Sequence, residues 1–230
     1  MRPPTIIPWG CLPVAIFLFL LILFPLFLAN VMLSALVKLG LSPDVSVVVA
    51  MAIFIGGMIN IPIKQIPRKE VIDVKRFEMF GFHRILPQMV QHRRYTIIAV
   101  NVGGCIVPCI IVIYELVRIL QKGEYALMVT VISVIINIAV CYYFARPIPG
   151  VGIALPPLIP ALVAAACGFM LNRELAPLTA FISGVMGPLV GADLLHLRKI
   201  QDTLTGIASI GGAGTFDGIV ISGLAATLLA

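Results

Sequence analysis

From Trp9 to Val37 the chain carries no charged side chain, and that single stretch constrains the fold more than any other feature. About 20 apolar helical residues cross the hydrocarbon core of a bilayer, and this run is longer. It also exceeds the apolar core of a cleaved signal peptide, and no small-x-small site follows it before more apolar sequence. Pro13 and Pro25 within it are tolerable kinks in lipid. Further apolar runs occupy 45–63, 95–120, 125–145, 157–171, 177–197 and 204–230. With 60 % hydrophobic and only 11 % charged residues, against about a quarter charged in soluble domains, the expected fold is all-α. It is a polytopic transmembrane helix bundle of about seven spans, forming one membrane domain over residues 1–230.

Cytoplasmic loops carry the excess of Lys and Arg. Arg2, the eight basic residues of the 64–94 loop, Arg146, Arg198 and Lys199 fall on one side, and Lys38, Arg118, Lys122 and Arg173 on the other. This asymmetry predicts an N-terminus inside and a C-terminus outside, in the inner cell membrane. The 64–94 loop interleaves its charges with Phe77, Phe80, Phe82, Ile85 and Leu86, a mixture suited to lying on the anionic inner leaflet as helix or hairpin. Membrane lipids are therefore the expected partners. Nucleic acid is not, because the basic residues lie on no soluble face. The 5 Cys all sit in apolar runs, which excludes a disulfide scaffold.

An ionisable group inside a span costs about 2.5–3.5 kcal/mol on insertion scales, so it points to function. Most acidic residues fall in loops or at span edges, and Glu115 is expected to pair with Arg118 one turn on. Asp193 and Asp217 remain. Asp193 follows Gly191-Ala192, and Asp217 closes Gly211-Gly212-Ala213-Gly214-Thr215-Phe216. Their spans are joined by a tight inner turn, so they are antiparallel neighbours. In an unbroken helix Asp217 would lie about 20 Å deep, far below Asp193. The depths match only if Ser209 to Gly214 unwinds, which the glycines favour. Two carboxylates brought together share a proton, one acting as base toward water and the other as acid toward a carbonyl. That is aspartic protease chemistry.

The run Ile207 to Ile219, with Gly211-Gly212-Ala213-Gly214-Thr215-Phe216-Asp217-Gly218 at its centre, resembles the C-terminal signature of a prokaryotic family of uncharacterised polytopic membrane proteins of unknown function. More distantly, Gly212-Ala213-Gly214 followed by Asp217 is similar to the Gly-x-Gly-Asp motif of presenilin-like intramembrane aspartyl proteases. The resemblance implies Asp193 and Asp217 as the catalytic pair, Gly212, Gly214 and Thr215 as substrate-facing backbone, and Pro160-Ala161-Leu162 as the supporting Pro-Ala-Leu, with a transmembrane peptide as substrate. In this chain Thr215 and Phe216 separate the glycines from the Asp, and Pro-Ala-Leu precedes both aspartates.

The remaining features have blander readings. The Gly184, Gly187 and Gly191 stripe suits close helix packing. Four prolines between Arg146 and Pro157 forbid a continuous helix there and suit a stiff connector or an edge to which a substrate segment pairs. Asn101 and Asn137 suit bridges between helices. Cys105 and Cys109 share a helix face, but no His stands beside them. An Asp193/His196/Asp217 metal cluster lacks any ligand-pair spacing, so neither metal nor cofactor is expected. Alternatives to the protease are a small transporter or ion-coupled permease with a cation or proton site at Asp217, and a non-catalytic scaffold. The oligomeric state stays open, a homo-oligomer included.

Overall fold

A computed structural model describes residues 11–67, 95–148, 152–171, 175–197 and 206–230. The chain is mostly helical, in the order α1 (Cys11–Lys38), α2 (Pro43–Gly56), β1 (Asn60–Pro67), β2 (Tyr95–Asn101), α3 (Val107–Leu120), α4 (Glu124–Phe144), β3 (Arg146–Ile148), β4 (Gly152–Ala154), α5 (Leu158–Leu171), α6 (Ala176–Met186), β5 (Ile207–Ile210) and α7 (Gly218–Leu229). Wide π-type turns precede α3 at Val102–Ile106 and extend α6 over Gly187–Leu194. Among the described residues three continuous helices are long and apolar enough to cross a membrane: Val102–Leu120, Glu124–Phe144 and Ala176–Leu194.

The all-α expectation needs correction, because strands replace the ends of three expected spans. Run 45–63 is helical only to Gly56 and continues as β1; run 95–120 opens as β2; run 204–230 contains β5 before α7. In the sheet, β2 lies between β1, to which it is antiparallel, and β5, to which it is parallel. The reason is local. Ile59-x-Ile61-x-Ile63, Ile97-Ile98 and Ile207 to Ile210 are β-branched stretches that suit a pleated surface. Pairing satisfies the peptide groups that face a neighbouring strand, and the same apolar residues suit helix or strand, so hydropathy alone does not separate the two. In keeping with the prolines, the described parts of 146–154 are not helical: they are the antiparallel strands β3 and β4. Residues 68–94 and 198–205, which carry most of the interfacial loop and the inner turn, lie outside the described residues.

Helix starts follow their caps. The Ser42 hydroxyl accepts from the Val45 N–H at 3.4 Å, with Pro43 in the first turn of α2. The Asn101 side chain accepts from the Gly104 N–H at 2.7 Å where strand β2 turns into helix. The main core gathers larger apolar side chains such as Leu36, Leu39, Ile53, Phe181 and Ile219, and a second, smaller one is built on small residues. Ala161, Ala164, Ala180 and Ala226 seal α5, α6 and α7 together. A Cβ on Gly184 would come within 2.8 Å of the Ser222 carbonyl, and one on Gly187 within 2.6 Å of the Asn137 amide. The glycine stripe of α6 is thus a packing surface for α7 on one side and α4 on the other. Asn137 does bridge helices, donating to the Ser183 carbonyl at 2.8 Å and the Pro160 carbonyl at 3.2 Å. Buried Glu115 pairs with Arg118 at 2.8 Å, and Arg118 also holds the Leu39 carbonyl.

Candidate functional site

Three glycine-rich corners meet between the sheet and the helices. Gly56-Gly57 ends α2, Gly103-Gly104 opens the π-turn before α3, and Gly211 to Gly214 follows β5. A Cβ on Gly103 would land on the Ile53 carbonyl oxygen, and one on Gly104 on that of Gly211. Gly211 and Gly214 also take left-handed φ values of +71° and +59°, and a Cβ on Gly214 would stand 2.9 Å from Gly57 Cα. Only glycine lets backbones approach this closely. The polar seam beside them is Asn101, fully buried. Its amide donates to the Gly57 carbonyl at 2.8 Å and to Asn60 Oδ1 at 3.1 Å, while Ser209 Oγ donates to the same Asn60 oxygen at 2.5 Å. These bonds tie α2, β2 and β5 into one frame.

That frame fixes the backbone between the two aspartates. Asp217 caps α7, accepting from the Ile219 N–H at 3.0 Å through one oxygen and from the Ala213 N–H at 3.3 Å through the other. Asp193 stands in the wide turn at the end of α6, with the Gly211 N–H beside its carboxylate. The two side chains come from different helices yet line one cavity of about 370 Å³, together with Ile153, Ser209, Gly212 and Ala213. They lie within Coulombic reach of each other. The helical break needed to match their depths is present as β5, the glycine turn and a single 3₁₀ turn at Gly214–Phe216.

Other residues named from sequence lie elsewhere. Of the glycine-turn residues, Gly212 lines the cavity, whereas Gly214 and Thr215 pack behind it. Pro160, Ala161 and Leu162 are on α5: Pro160 offers its carbonyl to Asn137, Ala161 is buried among alanines, and Leu162 is exposed. None of the three lines the cavity. His196 is buried against the Tyr142 ring, centroids 4.7 Å apart, with Nδ1 3.1 Å from the Gly191 carbonyl. Among the described residues no group of three or more His, Cys, Asp or Glu is placed to hold a metal ion. Sequence reasoning missed Asn60 and Ser209. The available signal was a polar residue in each of two β-branched runs, Ile59-Asn60-Ile61 and Ala208-Ser209-Ile210.

Chemically, the cavity offers two carboxylates and a strand edge. The Gly206 carbonyl accepts from the Ile97 N–H at 3.1 Å, which fixes the phase of the parallel ladder: Ala208 and Ile210 turn their peptide groups toward β2, and Ile207 and Ser209 turn theirs away. Strand β5 is an edge of the three-stranded sheet, and its residues line the cavity opposite Gly152 and Ile153 of β4. The chain matches no curated protein and no solved structure. Residues 54–229, covering the sheet, the glycine corners and both aspartates, match one family model described as a protein of unknown function. The chain belongs to that family, DUF1614.

Proposed function

We propose that this chain is an intramembrane aspartyl protease-like hydrolase, seated in the inner cell membrane with seven spans, its N-terminus inside and its C-terminus outside. Asp193 and Asp217 act as the pair. One carboxylate takes a proton from a water in the cavity; the other, protonated, donates to the scissile carbonyl oxygen as the water oxygen bonds to carbon. The proton then passes to the leaving amine, and the C–N bond breaks. The observation that carries this reading is the placement of both aspartates in the lining of one cavity, beside a strand that is an edge of the sheet among the described residues. A transmembrane peptide segment has its carbonyls locked in helical hydrogen bonds, so it must be extended before water reaches one. The Ile207 peptide group and the Ser209 N–H turn away from β2 and offer such an extended segment partners, while the Ser209 carbonyl accepts from the Gly212 N–H at 3.0 Å within the turn. The half-length helices α2 and α7, 14 and 12 residues, span about 21 and 18 Å and rely on the adjoining strands to complete their passage.

The test is cleavage of a reporter transmembrane segment by the purified chain in lipid nanodiscs. Asp193→Asn and Asp217→Asn should each lower the rate by at least a hundredfold, and Asp217→Asn should leave the α7 cap in place because Asn also caps helices well. Cleavage that survives either change, or none by the wild type across a panel of reporter segments, refutes the proposal. One observation favours a second reading: Asp217 stands at a broken-backbone entry to a half-length helix, the arrangement of ion sites in secondary transporters. Uptake into vesicles that depends on Asp217 and not on Asp193 would decide for it.

A further inference from the structure

Cys105 and Cys109 are free thiols one helical turn apart. Cys105 is buried in the π-turn before α3; Cys109 is half-buried on its first α-turn. Their side chains are neighbours, and Cys105 also lies within electrostatic reach of Asp193 and Asp217. The residue before Cys105 is Gly104, which presses directly on the Gly211 carbonyl. Gly211 in turn begins the loop whose N–H groups face both carboxylates. One thiol pair is thus two packed backbones away from the cavity.

We propose that Cys105 and Cys109 form a reversible disulfide that loosens the glycine turn and disables the carboxylate cavity. Cβ atoms at i and i+4 of a helix stand about 5–6 Å apart, whereas a disulfide needs about 3.8 Å. Oxidation must therefore draw the two residues together by about 2 Å, and the π-turn, already out of the regular helical ladder, is the part that yields. Gly104 moves with it, and its contact with Gly211 has no slack. A bridge formed under such strain is readily reduced again, which suits a switch rather than a permanent clamp.

The step balances by exchange with a small disulfide. The Cys109 thiolate, the more accessible of the two, attacks one sulfur of the reagent and expels a thiolate. Cys105 then attacks the Cys109 sulfur of the mixed disulfide, forming the Cys105–Cys109 bond and expelling the second thiolate. Two protein thiols are oxidised, one external disulfide is reduced to two thiols, and both thiol protons leave with the expelled groups.

This inference rests on packing and not on the reaction proposed above, so its readout is chosen to need no activity. The full chain in nanodiscs is treated with the membrane-permeant disulfide 4,4′-dithiodipyridine, the bridge is located by peptide mass mapping, and amide hydrogen exchange is followed over residues 206–217. The expected result is a Cys105–Cys109 linked peptide, with exchange over 210–214 at least tenfold faster and restored by a permeant reductant. Cys109→Ser and Cys105→Ser chains, treated alike, should show no change. Failure to find the linked peptide overturns the proposal, as does a bridge that leaves exchange unchanged or slower.

Discussion

Replacing Asn101 by Leu, which keeps the number and branching of the heavy atoms, probes whether the polar frame holds the glycine corners together. The native side chain makes three bonds: to the Gly57 carbonyl, to Asn60, and from the Gly104 N–H. All three are lost in Asn101→Leu. Asn60 Oδ1 keeps Ser209 as a donor, whereas the buried Gly104 N–H loses its acceptor. An unsatisfied buried group costs about 1–3 kcal/mol. That group is the capped Gly104 N–H itself, and loss of the Gly57 bond adds about 1 kcal/mol. The sum is about 2–4 kcal/mol, and at about 2–4 °C per kcal/mol for a chain this size the melting midpoint should fall by about 4–16 °C in detergent. Asn101→Asp keeps the acceptor for Gly104 and loses the amide donor, so it should retain the cap while losing the bond to Gly57. The assay is thermal unfolding followed by circular dichroism. A midpoint shift under 2 °C for Asn101→Leu would refute the frame.

Further outcomes follow from individual contacts. Gly104→Ala places a methyl on the Gly211 carbonyl and should cost about 1–3 kcal/mol, whereas Gly218→Ala, with open space around it, should be nearly neutral in the same melt. Asp217→Ala removes the α7 cap and should lose about 1 kcal/mol that Asp217→Asn retains, separating the structural from the chemical role of that carboxylate. Arg118→Met strands the buried Glu115 and should cost about 3–5 kcal/mol, most of it recovered in Glu115→Gln/Arg118→Met. Gly187→Ala should displace the Asn137 amide and weaken α4–α6 packing, read as lower resistance to unfolding in sodium dodecyl sulfate.

Sequence alone exposed the apolar runs, the capped start of α2, the Glu115–Arg118 pair, the packing glycines of α6 and the pair of aspartates. These features are written in local spacing and in the cost of charge at depth. The strands were not visible there. Ile207 to Ile210 is equally apolar as helix or strand, and its choice is made by β2, more than a hundred residues earlier. For the same reason the glycines at 56–57, 103–104 and 211–214 read as three separate flexible points, and only the fold reveals that each is small because another stands against it. Asn60 and Ser209 were passed over because a lone polar residue in an apolar run acquires meaning only from its partner. Of the Pro160-Ala161-Leu162 tripeptide, Pro160 offers its carbonyl to Asn137 and Ala161 packs among the alanines between α5 and its neighbours.

If the carboxylates of Asp193 and Asp217 open into one water-filled cavity, cysteine chemistry at the two positions reads it directly: Asp193→Cys, Asp217→Cys and the double variant in nanodiscs, treated with a charged, membrane-impermeant thiol reagent and with a short bifunctional one, and mapped by peptide mass. Each single variant should be labelled by the charged reagent at its new thiol, and the double variant should yield an intramolecular 193–217 link. Labelling at only one of the two, or a double variant that labels at both and never links, would contradict the shared cavity.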